Sequence, residues 1–560
     1  MVDGQKNKRT FLIFILLIFF CALLLRLVNL GALSLWTDEP CHLYVAQSMQ
    51  QNDSFELPSG QPYARAKVYA YLTVLSTMLF GFNEFGIRFP SALFGFFSLV
   101  LFFFMTKRLL GNSIATVILL LLAVLPLEIG WARVARFYSL FQFFTMLVWY
   151  FFYVGFVEAD APLTKSVTVV KFHPKEIISN WNIKWGYLLL CLVSFTMALS
   201  IQQIGIFLVL PIIVYIVLCN VYILSKSKIT VLLVSKYFVF LLLSGLSFIV
   251  LFFMFSKVRN LIEYGLTYAP EFAKGSSASD RLEYIKFILG KDLFPLGAFF
   301  VIGLIQSIIR LNKIVVYSAL FFIIQIFLFT FVFSYRLSQY IYNVIPFFIL
   351  VASYAIVNVM EKENEAFLKI KNYLFVLSSK IFRKPNIVVY IIFVLLLIAS
   401  PFFIRGALIP LNKPGDSNGA ATFLEWKEAA EYLKKTNVDS SVTLAPWPLI
   451  LKYYYGKVDY NISLSDFAVA KLNQTKDSHD RYVDYYSGIP FITNEVELDS
   501  LVKNTSTGYL VVDTYELLNS QYVASEVREY IAKNLEQVYL TPKETVRIFS
   551  WNRNDRQSDR

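Results

Sequence analysis

The sequence is poor in charged residues. Only 16% of its 560 residues are charged and 57% are hydrophobic, whereas soluble globular proteins have about 25% charged and about 45–50% apolar residues. A water-soluble enzyme and a disordered scaffold are therefore disfavoured. The composition indicates an integral membrane protein.

Cysteine and histidine are also scarce, and the common nucleotide motifs are missing. Three of the four cysteines fall inside apolar segments, so neither a disulfide framework nor a cysteine-based zinc site is expected. The three histidines, His42, His173 and His479, are too scattered to suggest a metal cluster. There is no P-loop, no dinucleotide-binding glycine fingerprint and no HExxH motif, which argues against ATP-driven transport and zinc proteolysis.

The apolar residues form long runs separated by short basic clusters. A membrane-spanning helix needs roughly 20 mainly apolar residues, and cytoplasmic loops collect Lys and Arg. Because the clusters recur at alternate loops, the net charge of +12 reflects topology rather than a nucleic-acid-binding face. We predict a mainly α-helical, multi-pass cell-membrane protein of about eleven spans, with its N-terminus in the cytoplasm and its C-terminal domain outside. The predicted spans lie near residues 11–30, 91–106, 113–129, 140–157, 186–201, 204–223, 231–255, 294–309, 314–333, 340–358 and 387–404.

Two N-terminal segments have alternative interpretations. The apolar piece 68–80 would invert every later basic loop if it crossed the membrane, so we interpret it as an interfacial helix. The basic start, the first apolar run and Ala32-Leu33-Ser34 also resemble a cleaved signal peptide. The apolar run continues to Leu30, which is longer than a usual signal core and favours a membrane helix.

The composition divides the chain into two predicted domains. Residues 1–404 form the transmembrane domain, with a first external loop at 31–90, and residues 405–560 form a more polar extracytoplasmic domain. In the second domain, strand-like runs alternate with helical stretches, which predicts an α/β layer structure. The strand-like runs are Val442–Ala445, Tyr509–Val512 and Val546–Trp551.

Two adjacent carboxylates follow the first span, in Leu35-Trp36-Thr37-Asp38-Glu39-Pro40. Ionisable groups at a membrane surface are functional-site candidates, and one of the pair could act as a general base. The alternative is structural: Thr37 or Asp38 would cap a helix that begins near Pro40.

Charged residues also gather at two later external turns. The first turn supplies Glu128, Arg133 and Arg136, and the second supplies Arg336. Arginine presents a planar fork of donors that matches phosphate oxygens, so these arginines are candidate ligands of a lipid phosphate. Equally, they could be cations that anchor helix ends at the interface.

Taken together, these motifs resemble those of a known group of enzymes. Trp36–Glu39 is similar to the acidic motif of the GT-C superfamily of membrane glycosyltransferases, in particular the protein O-mannosyltransferase and lipid A aminoarabinose transferase group (glycosyltransferase families 39 and 83). Gly86–Gly95 and Ala132–Leu140 resemble that group's stretch before the second helix and its second external turn. Ser338–Pro346 and Pro446–Gly456 resemble later segments of its members.

The resemblance implies a GT-C-like membrane domain and a hexosyl- or pentosyltransferase that uses a polyprenyl- or dolichyl-phosphate-linked sugar. The acceptor would be a protein, lipid or glycan reached from the outer face, and the anomeric carbon would be inverted. Asp38 would be the general base and Glu39 its support. Arg136, with Arg133 and Arg336, would bind the donor phosphate, and Glu128 would be a second acidic site. No nucleotide or nucleic acid is implied.

The sequence departs from the family pattern at three positions. Pro40 follows the acidic pair where small residues are usual, Gln339 stands where arginine is commoner, and Glu128 does not match the second acidic residue well. These departures leave the need for a divalent cation open. Two other functions remain as alternatives: a flippase or transporter for lipid-linked sugars, and a polymerase or ligase for cell-surface polysaccharide. The sequence names neither the sugar nor the acceptor.

Overall fold

A computed structural model describes most of the chain. The described residues are 2–63, 65–158, 181–226, 229–233, 235–254, 256, 283–289, 293, 295–332, 337–361, 422–436, 441–462, 475–476, 481–518 and 523–552. The predicted span 387–404 and the candidate phosphate ligand Arg336 lie outside them. By Cα proximity the chain divides into two compact units: Met1–Leu24, Phe94–Ile129 and Phe137–Arg405 form unit 1, and Leu25–Leu93, Gly130–Arg136 and Gly406–Arg560 form unit 2.

Unit 1 is helical in its described residues. Its helices, some of which begin or end in unit 2, are α1 (Val2–Leu27), α4 (Glu84–Leu110), α5 (Asn112–Val124), α6 (Pro126–Ala132), α7 (Tyr138–Phe152), α8 (Trp185–Ile201), α9 (Val209–Lys226), α10 (Ile229–Leu233), α11 (Lys236–Met254), α12 (Glu283–Leu289), α13 (Leu296–Ile309), α14 (Lys313–Phe327) and α15 (Ile345–Glu361). Short π-helical turns extend α7 to Val157 and α14 to Val332, and 3₁₀ turns precede α9 and α15.

The apolar helices agree with a multi-pass membrane protein, but eleven spans are not confirmed. Within the described residues, five helices are long and apolar enough to cross a membrane, or six if α5 and α6, which are bent by 59° at their junction, count as one span. Other predicted spans form helices of only 14 to 17 residues, among them α8 and α13. The chain leaves α8 at Gln202 in an extended conformation, where two glutamines interrupt the apolar run.

Aromatic side chains fill the interior of unit 1. Phe102, Trp149 and Phe347, from α4, α7 and α15, have ring centroids between 5.4 and 5.8 Å apart. Helices α13 and α15 approach closely at Gly303, where a Cβ would lie only 2.2 Å from the carbonyl oxygen of Val351. Lipid provides no hydrophobic drive for the association of membrane helices, so their association depends on close packing. Small residues at such crossings allow the helix backbones to approach.

Unit 2 combines the first loop with the C-terminal residues. Its helices are α2 (Glu39–Asn52), α3 (Lys67–Phe80), α16 (Trp426–Lys435), α17 (Pro448–Tyr455), α18 (Glu495–Asn504), α19 (Thr514–Leu518) and α20 (Ser525–Asn534). Its strands are β1 (Val442–Leu444), β2 (Thr475–Lys476), β3 (Tyr482–Val483), β4 (Thr507–Asp513), β5 (Glu536–Leu540) and β6 (Val546–Asn552). Helix α3 covers the predicted interfacial segment, and the loop 31–90 groups here with the C-terminal residues rather than with the membrane helices.

A four-stranded mixed sheet organises the C-terminal part of unit 2, in the order β1-β4-β6-β5. Strand β1 pairs with β4 in parallel, and the other neighbours are antiparallel. All three strand-like runs from the sequence are strands, so the predicted small α/β structure is present.

The sheet buries both faces, because side chains alternate along its central strands. Leu510 and Val512 of β4 belong to one apolar cluster, with α18 and α20, whereas Val511 belongs to another, with α16 and α17. Gly508 lies on the face of β4 that carries Leu510 and Val512. A side chain does not fit there, since a Cβ would fall 1.9 Å from the ring of Trp551.

Candidate active site

Helix α2 begins at the acidic pair, as the sequence predicts, but Asp38 does not cap it. Asp38 occupies the N-cap position with helical dihedrals (φ −92°, ψ −11°), and its side chain accepts no capping hydrogen bond. Glu39 and Pro40 form the first turn. The capping interpretation of the Asp38 carboxylate is therefore wrong, and that carboxylate is available for other partners.

Glu39 is fully buried and its carboxylate is saturated. Arg88 of α4 donates to it through Nε (2.8 Å) and Nη2 (2.7 Å), and the backbone N–H groups of Trp36 and Ala135 donate at 2.7 and 2.6 Å. Such bidentate, charge-assisted bonds are strong and directional. Glu39 therefore acts as a fixed connection between α2, α4 and the turn that carries Arg133 and Arg136.

The remaining donors of Arg88 hold the backbone that precedes the acidic pair. Nη1 donates to the carbonyls of Leu30 and Leu33 at 3.0 and 2.9 Å, and Nη2 donates to Ser34 at 2.7 Å. Arg88 is only 1% exposed. The charge of Arg88 is thus paired with Glu39, and its other N–H groups are bonded to backbone carbonyls. These bonds hold the backbone of residues 30–39 in place.

Asp38 has the opposite environment. Its side chain is 45% exposed, and it lies 3.3 Å from Nη2 of Arg136, which is itself 8% exposed. The carboxylate of Asp38 is therefore open to solvent on one side and paired with a buried cation on the other. Of the two neighbouring acids, Asp38 is thus accessible to solvent and Glu39 is buried.

The backbone of Arg136 is anchored from α4. The hydroxyl of Ser91 donates to the Arg136 carbonyl at 2.7 Å, and the hydroxyls of Ser91 and Tyr69 are 2.8 Å apart. Both side chains are buried. A guanidinium whose backbone is held in this way is pre-organised toward Asp38.

The residues that follow in α2 stay uncharged. Burial, with a contribution from the cations Arg136 and Arg65, holds the pKa of His42 well below its usual value. Burial raises the pKa of the Cys41 thiol to about 12. His42 packs edge-on to the rings of Tyr63 and Tyr69. Neither residue therefore carries charge at neutral pH, which leaves Asp38 as the reachable acid or base of this helix start.

Arg133 is placed differently from Arg136, although only two residues separate them. Its guanidinium donates to the carbonyls of Arg26, Val28 and Asn29 at 3.1, 2.7 and 3.0 Å. These carbonyls lie at and beyond the C-terminal end of α1, where helix carbonyls have no partner within the helix. Arg133 thus caps a helix end, and its candidate role as a phosphate ligand has no support in this geometry.

Glu128 lies in unit 1 and is 3% exposed. It accepts a hydrogen bond from Nε2 of Gln142 at 2.9 Å, and the same amide donates to the carbonyl of Tyr342 at 2.8 Å. These bonds join the buried carboxylate of Glu128 to α7 and, through Gln142, to the 3₁₀ turn before α15. Whether a metal ion would bind is a separate matter: among the residues the structure describes, no group of three His, Cys, Asp or Glu side chains could hold one.

Sequence reasoning missed Arg88 and Ser91 as site residues. They lie in the stretch Gly86–Gly95, which carried a family resemblance but no assigned role. An arginine three residues before the predicted span 91–106 was the available signal, since a charge at the edge of a membrane needs a partner. It also missed Glu84, Lys427 and Tyr454, which make contacts near the acidic pair.

Comparisons with known proteins agree with the resemblance. A family model described as dolichyl-phosphate-mannose-protein mannosyltransferase matches residues 64–161. This range includes Arg88, Ser91 and Arg136 but not the acidic pair. No curated protein matches the chain.

Solved structures match over nearly the whole chain. ArnT from Cupriavidus metallidurans in the apo state has a TM-score of 0.56 at 13% identity, with 96% of this chain and 97% of that chain covered. At this identity the likeness concerns the fold, which is similar to that of ArnT. ArnT bound to undecaprenyl phosphate gives 0.56 at 15% identity, covering 96% and 98%. The Archaeoglobus fulgidus oligosaccharyltransferase tethered to an acceptor peptide gives 0.56 at 11%, covering 97% of this chain and 74% of that one.

Proposed function

We propose that this protein is a membrane glycosyltransferase that moves a sugar from a polyprenyl- or dolichyl-phosphate donor to an acceptor at the outer face of the membrane. The family model and the fold support a lipid-linked sugar transferase. A relative of the same fold binds undecaprenyl phosphate, which supports a polyprenyl-phosphate donor here. The positive-inside pattern supports a cytoplasmic N-terminus, with the acidic pair and the C-terminal domain on the outer side.

The observation that carries this proposal is the Asp38–Arg136 pair. One group is an exposed carboxylate and the other a buried guanidinium, 3.3 Å apart. Transfer from a phosphate donor requires a base for the acceptor hydroxyl and a cation for the leaving phosphate, and these two side chains supply one of each. Glu39 supports them from its sealed position and takes no proton itself.

The reaction is a single displacement with inversion. The acceptor oxygen forms a bond to the anomeric carbon while its proton passes to the carboxylate of Asp38. The bond between the anomeric carbon and the phosphate oxygen breaks, and its electron pair leaves with the polyprenyl phosphate. Arg136 stabilises the negative charge that the phosphate gains, which is the charge that develops in the transition state.

The test is Asp38→Asn, with Asp53→Asn as a matched control in the same loop. Asp53 ends α2 in the left-handed region (φ 52°), which asparagine tolerates. In purified, detergent-solubilised enzyme, we expect Asp38→Asn to lower the transfer rate by about 10²- to 10⁴-fold, the usual contribution of a positioned base. Asp53→Asn should keep the native rate.

The readout is the glycosylated product that forms from a radiolabelled lipid-linked donor. The product is identified by mass spectrometry. Full activity in Asp38→Asn would remove Asp38 as the base. Movement of the lipid-linked sugar across vesicles without a glycosidic product would favour the flippase alternative. Products longer than one added sugar would favour the polymerase.

A further inference from the structure

The segment of residues 30–36 sets the position of Asp38. It has no helix or strand, and only Thr37 lies between it and Asp38. On one side, Arg88 holds the carbonyls of Leu30, Leu33 and Ser34. A segment without secondary structure depends on such side-chain bonds for its conformation, because it has no ladder of its own.

Two residues from the C-terminal part of unit 2 hold the same segment. The hydroxyl of Tyr454, on α17, accepts a hydrogen bond from the backbone N–H of Leu35 at 2.8 Å. Lys427, on α16, donates from its backbone N–H to the Ser34 hydroxyl at 3.1 Å and from Nζ to the Gly31 carbonyl at 3.2 Å. Leu35 is fully buried, so water does not replace the bond to its N–H.

Glu84 joins these two residues to α4. It is 8% exposed and accepts from Lys427 Nζ at 2.8 Å and from the Tyr454 hydroxyl at 2.7 Å. Burial, together with the charge of Glu84, holds the pKa of Tyr454 well above its usual value, so the phenol stays protonated as a donor. The Tyr454 hydroxyl therefore donates to Glu84 while it accepts from the N–H of Leu35, and so it connects α4 to the 30–36 segment.

The network continues to the acidic pair. Glu84 lies one turn before Arg88 on α4, and Arg88 stacks over the ring of Phe423 at 5.0 Å, another residue of the C-terminal part. Arg88 in turn binds Glu39, and Glu39 accepts from the N–H of Trp36. The two residues that flank Trp36–Asp38 are thus bonded to residues far away in the sequence: Leu35 to Tyr454 and Glu39 to Arg88.

We propose that Lys427 and Tyr454 are positioning residues: through Glu84 and the 30–36 segment they hold Asp38 in place for proton transfer. This assigns a role in catalysis to the C-terminal domain beyond covering the site. The inference rests on the proposed function, since it concerns the same carboxylate. Neither residue touches a reacting group.

The expected effect is on the chemical step rather than on donor binding. Tyr454→Phe keeps the ring but removes both hydrogen bonds, and Lys427→Met keeps the stem but removes the charge. Because a small displacement of a catalytic group can cost up to about 10²-fold in rate, we expect kcat to fall about 10- to 100-fold. The KM for the lipid-linked donor should change less than about twofold, since Arg136 is anchored separately through Ser91.

Two matched controls lie on α16 itself. Lys434 is exposed at the last turn, and Tyr432 stacks on Tyr539 with ring centroids 4.4 Å apart. Lys434→Met and Tyr432→Phe make the same chemical changes without touching the 30–36 segment, and both should keep the native kcat. Lys427→Arg should retain most of it. The double variant Glu84→Gln with Lys427→Met should recover part of the loss, because it leaves no unpaired buried carboxylate.

A second measurement does not depend on activity. Hydrogen–deuterium exchange of a peptide covering residues 33–38 reports whether the Leu35 amide is still protected. We expect exchange at least about tenfold faster in Tyr454→Phe than in the native protein, with no change in the peptide of α18. Unchanged exchange would overturn the inference, as would faster exchange with an unchanged kcat.

The two proposals fail separately. If Asp38→Asn abolishes transfer while Tyr454→Phe and Lys427→Met keep the native kcat, the inference is wrong and the proposed function stands. If Asp38→Asn is fully active, the proposed function fails, whatever the exchange data show. If the Lys427 and Tyr454 variants only yield less folded protein, and kcat per folded enzyme stays native, these residues contribute to stability alone and the inference is wrong.

Discussion

Two regions of unit 2 differ although they begin at neighbouring residues. The Glu39–Arg88 region is sealed: both partners are at most 1% exposed, and every oxygen and most donors are occupied. The Asp38–Arg136 region is open: its carboxylate is 45% exposed and lies 3.3 Å from the guanidinium of Arg136. The difference shows that two acids adjacent in sequence need not share an environment in space. One carboxylate is enclosed by protein donors, and the other is open to solvent.

Breaking the sealed region should have the largest effect. Arg88→Met would leave the Glu39 charge buried without its main partner and would release the carbonyls of Leu30, Leu33 and Ser34. Removal of one member of a buried ion pair costs about 3–5 kcal/mol of folding free energy. We expect a lower thermal unfolding midpoint in detergent and reduced yield of folded protein, measured by fluorescence-detected size exclusion. A midpoint equal to the native one would show that Glu39 does not need Arg88.

Breaking the open region should affect donor binding. Arg136→Gln removes the cation that we propose for the donor phosphate and keeps a polar amide in its place. We expect the KM for the lipid-linked donor to rise about 10-fold or more, equal to about 1.4 kcal/mol. Initial rates at several donor concentrations measure this. An unchanged KM together with a lower unfolding midpoint would place Arg136 in the sealed region instead.

The variant Arg133→Gln sharpens the comparison between the two arginines of one turn. It removes the donors that satisfy the end of α1, and a buried acceptor left without a partner costs about 1–3 kcal/mol. We expect a lower unfolding midpoint with native KM and kcat per folded enzyme. A raised donor KM with a native midpoint would restore Arg133 as a phosphate ligand.

The smallest effect concerns pH. Burial keeps His42 neutral in the folded protein, whereas an unfolded histidine binds a proton below a pKa of about 6.5. The unfolded state therefore takes up more protons as the pH falls, and folding stability decreases by up to about 1.4 kcal/mol per unit below that pKa. We expect the unfolding midpoint to fall between pH 7 and pH 5.5, and to fall less in His42→Asn. Equal pH slopes in both proteins would contradict a buried neutral His42.

Local features of the fold were predictable because local physics determines them. Apolar runs predicted α7 and α14 within a few residues, and they predicted α4 apart from its first two turns. Short apolar runs between helical stretches predicted β1, β4 and β6. The start of α2 followed from Pro40, whose fixed φ suits a first helical turn. In each case the signal lies within about ten residues of the element itself.

Contacts between distant residues were not predictable from one sequence. Glu39 and Arg88 are 49 residues apart, and the bond from Lys427 to Ser34 spans 393 residues. Neither periodicity nor capping rules act over such separations, so both acids of the pair were assigned to catalysis. The assignment of Arg133 to phosphate failed to find support for the same reason, since the open carbonyls of α1 lie more than a hundred residues earlier.

The sequence by itself determined a membrane chain with a more polar C-terminal part, because composition and periodicity are set by the solvent that each segment faces. The tertiary structure decided the environment of each charged side chain. Glu39 and Arg133 are buried against specific hydrogen-bond partners, whereas the carboxylate of Asp38 is 45% exposed beside Arg136. That division is a matter of desolvation and hydrogen-bond geometry, which only the folded chain defines.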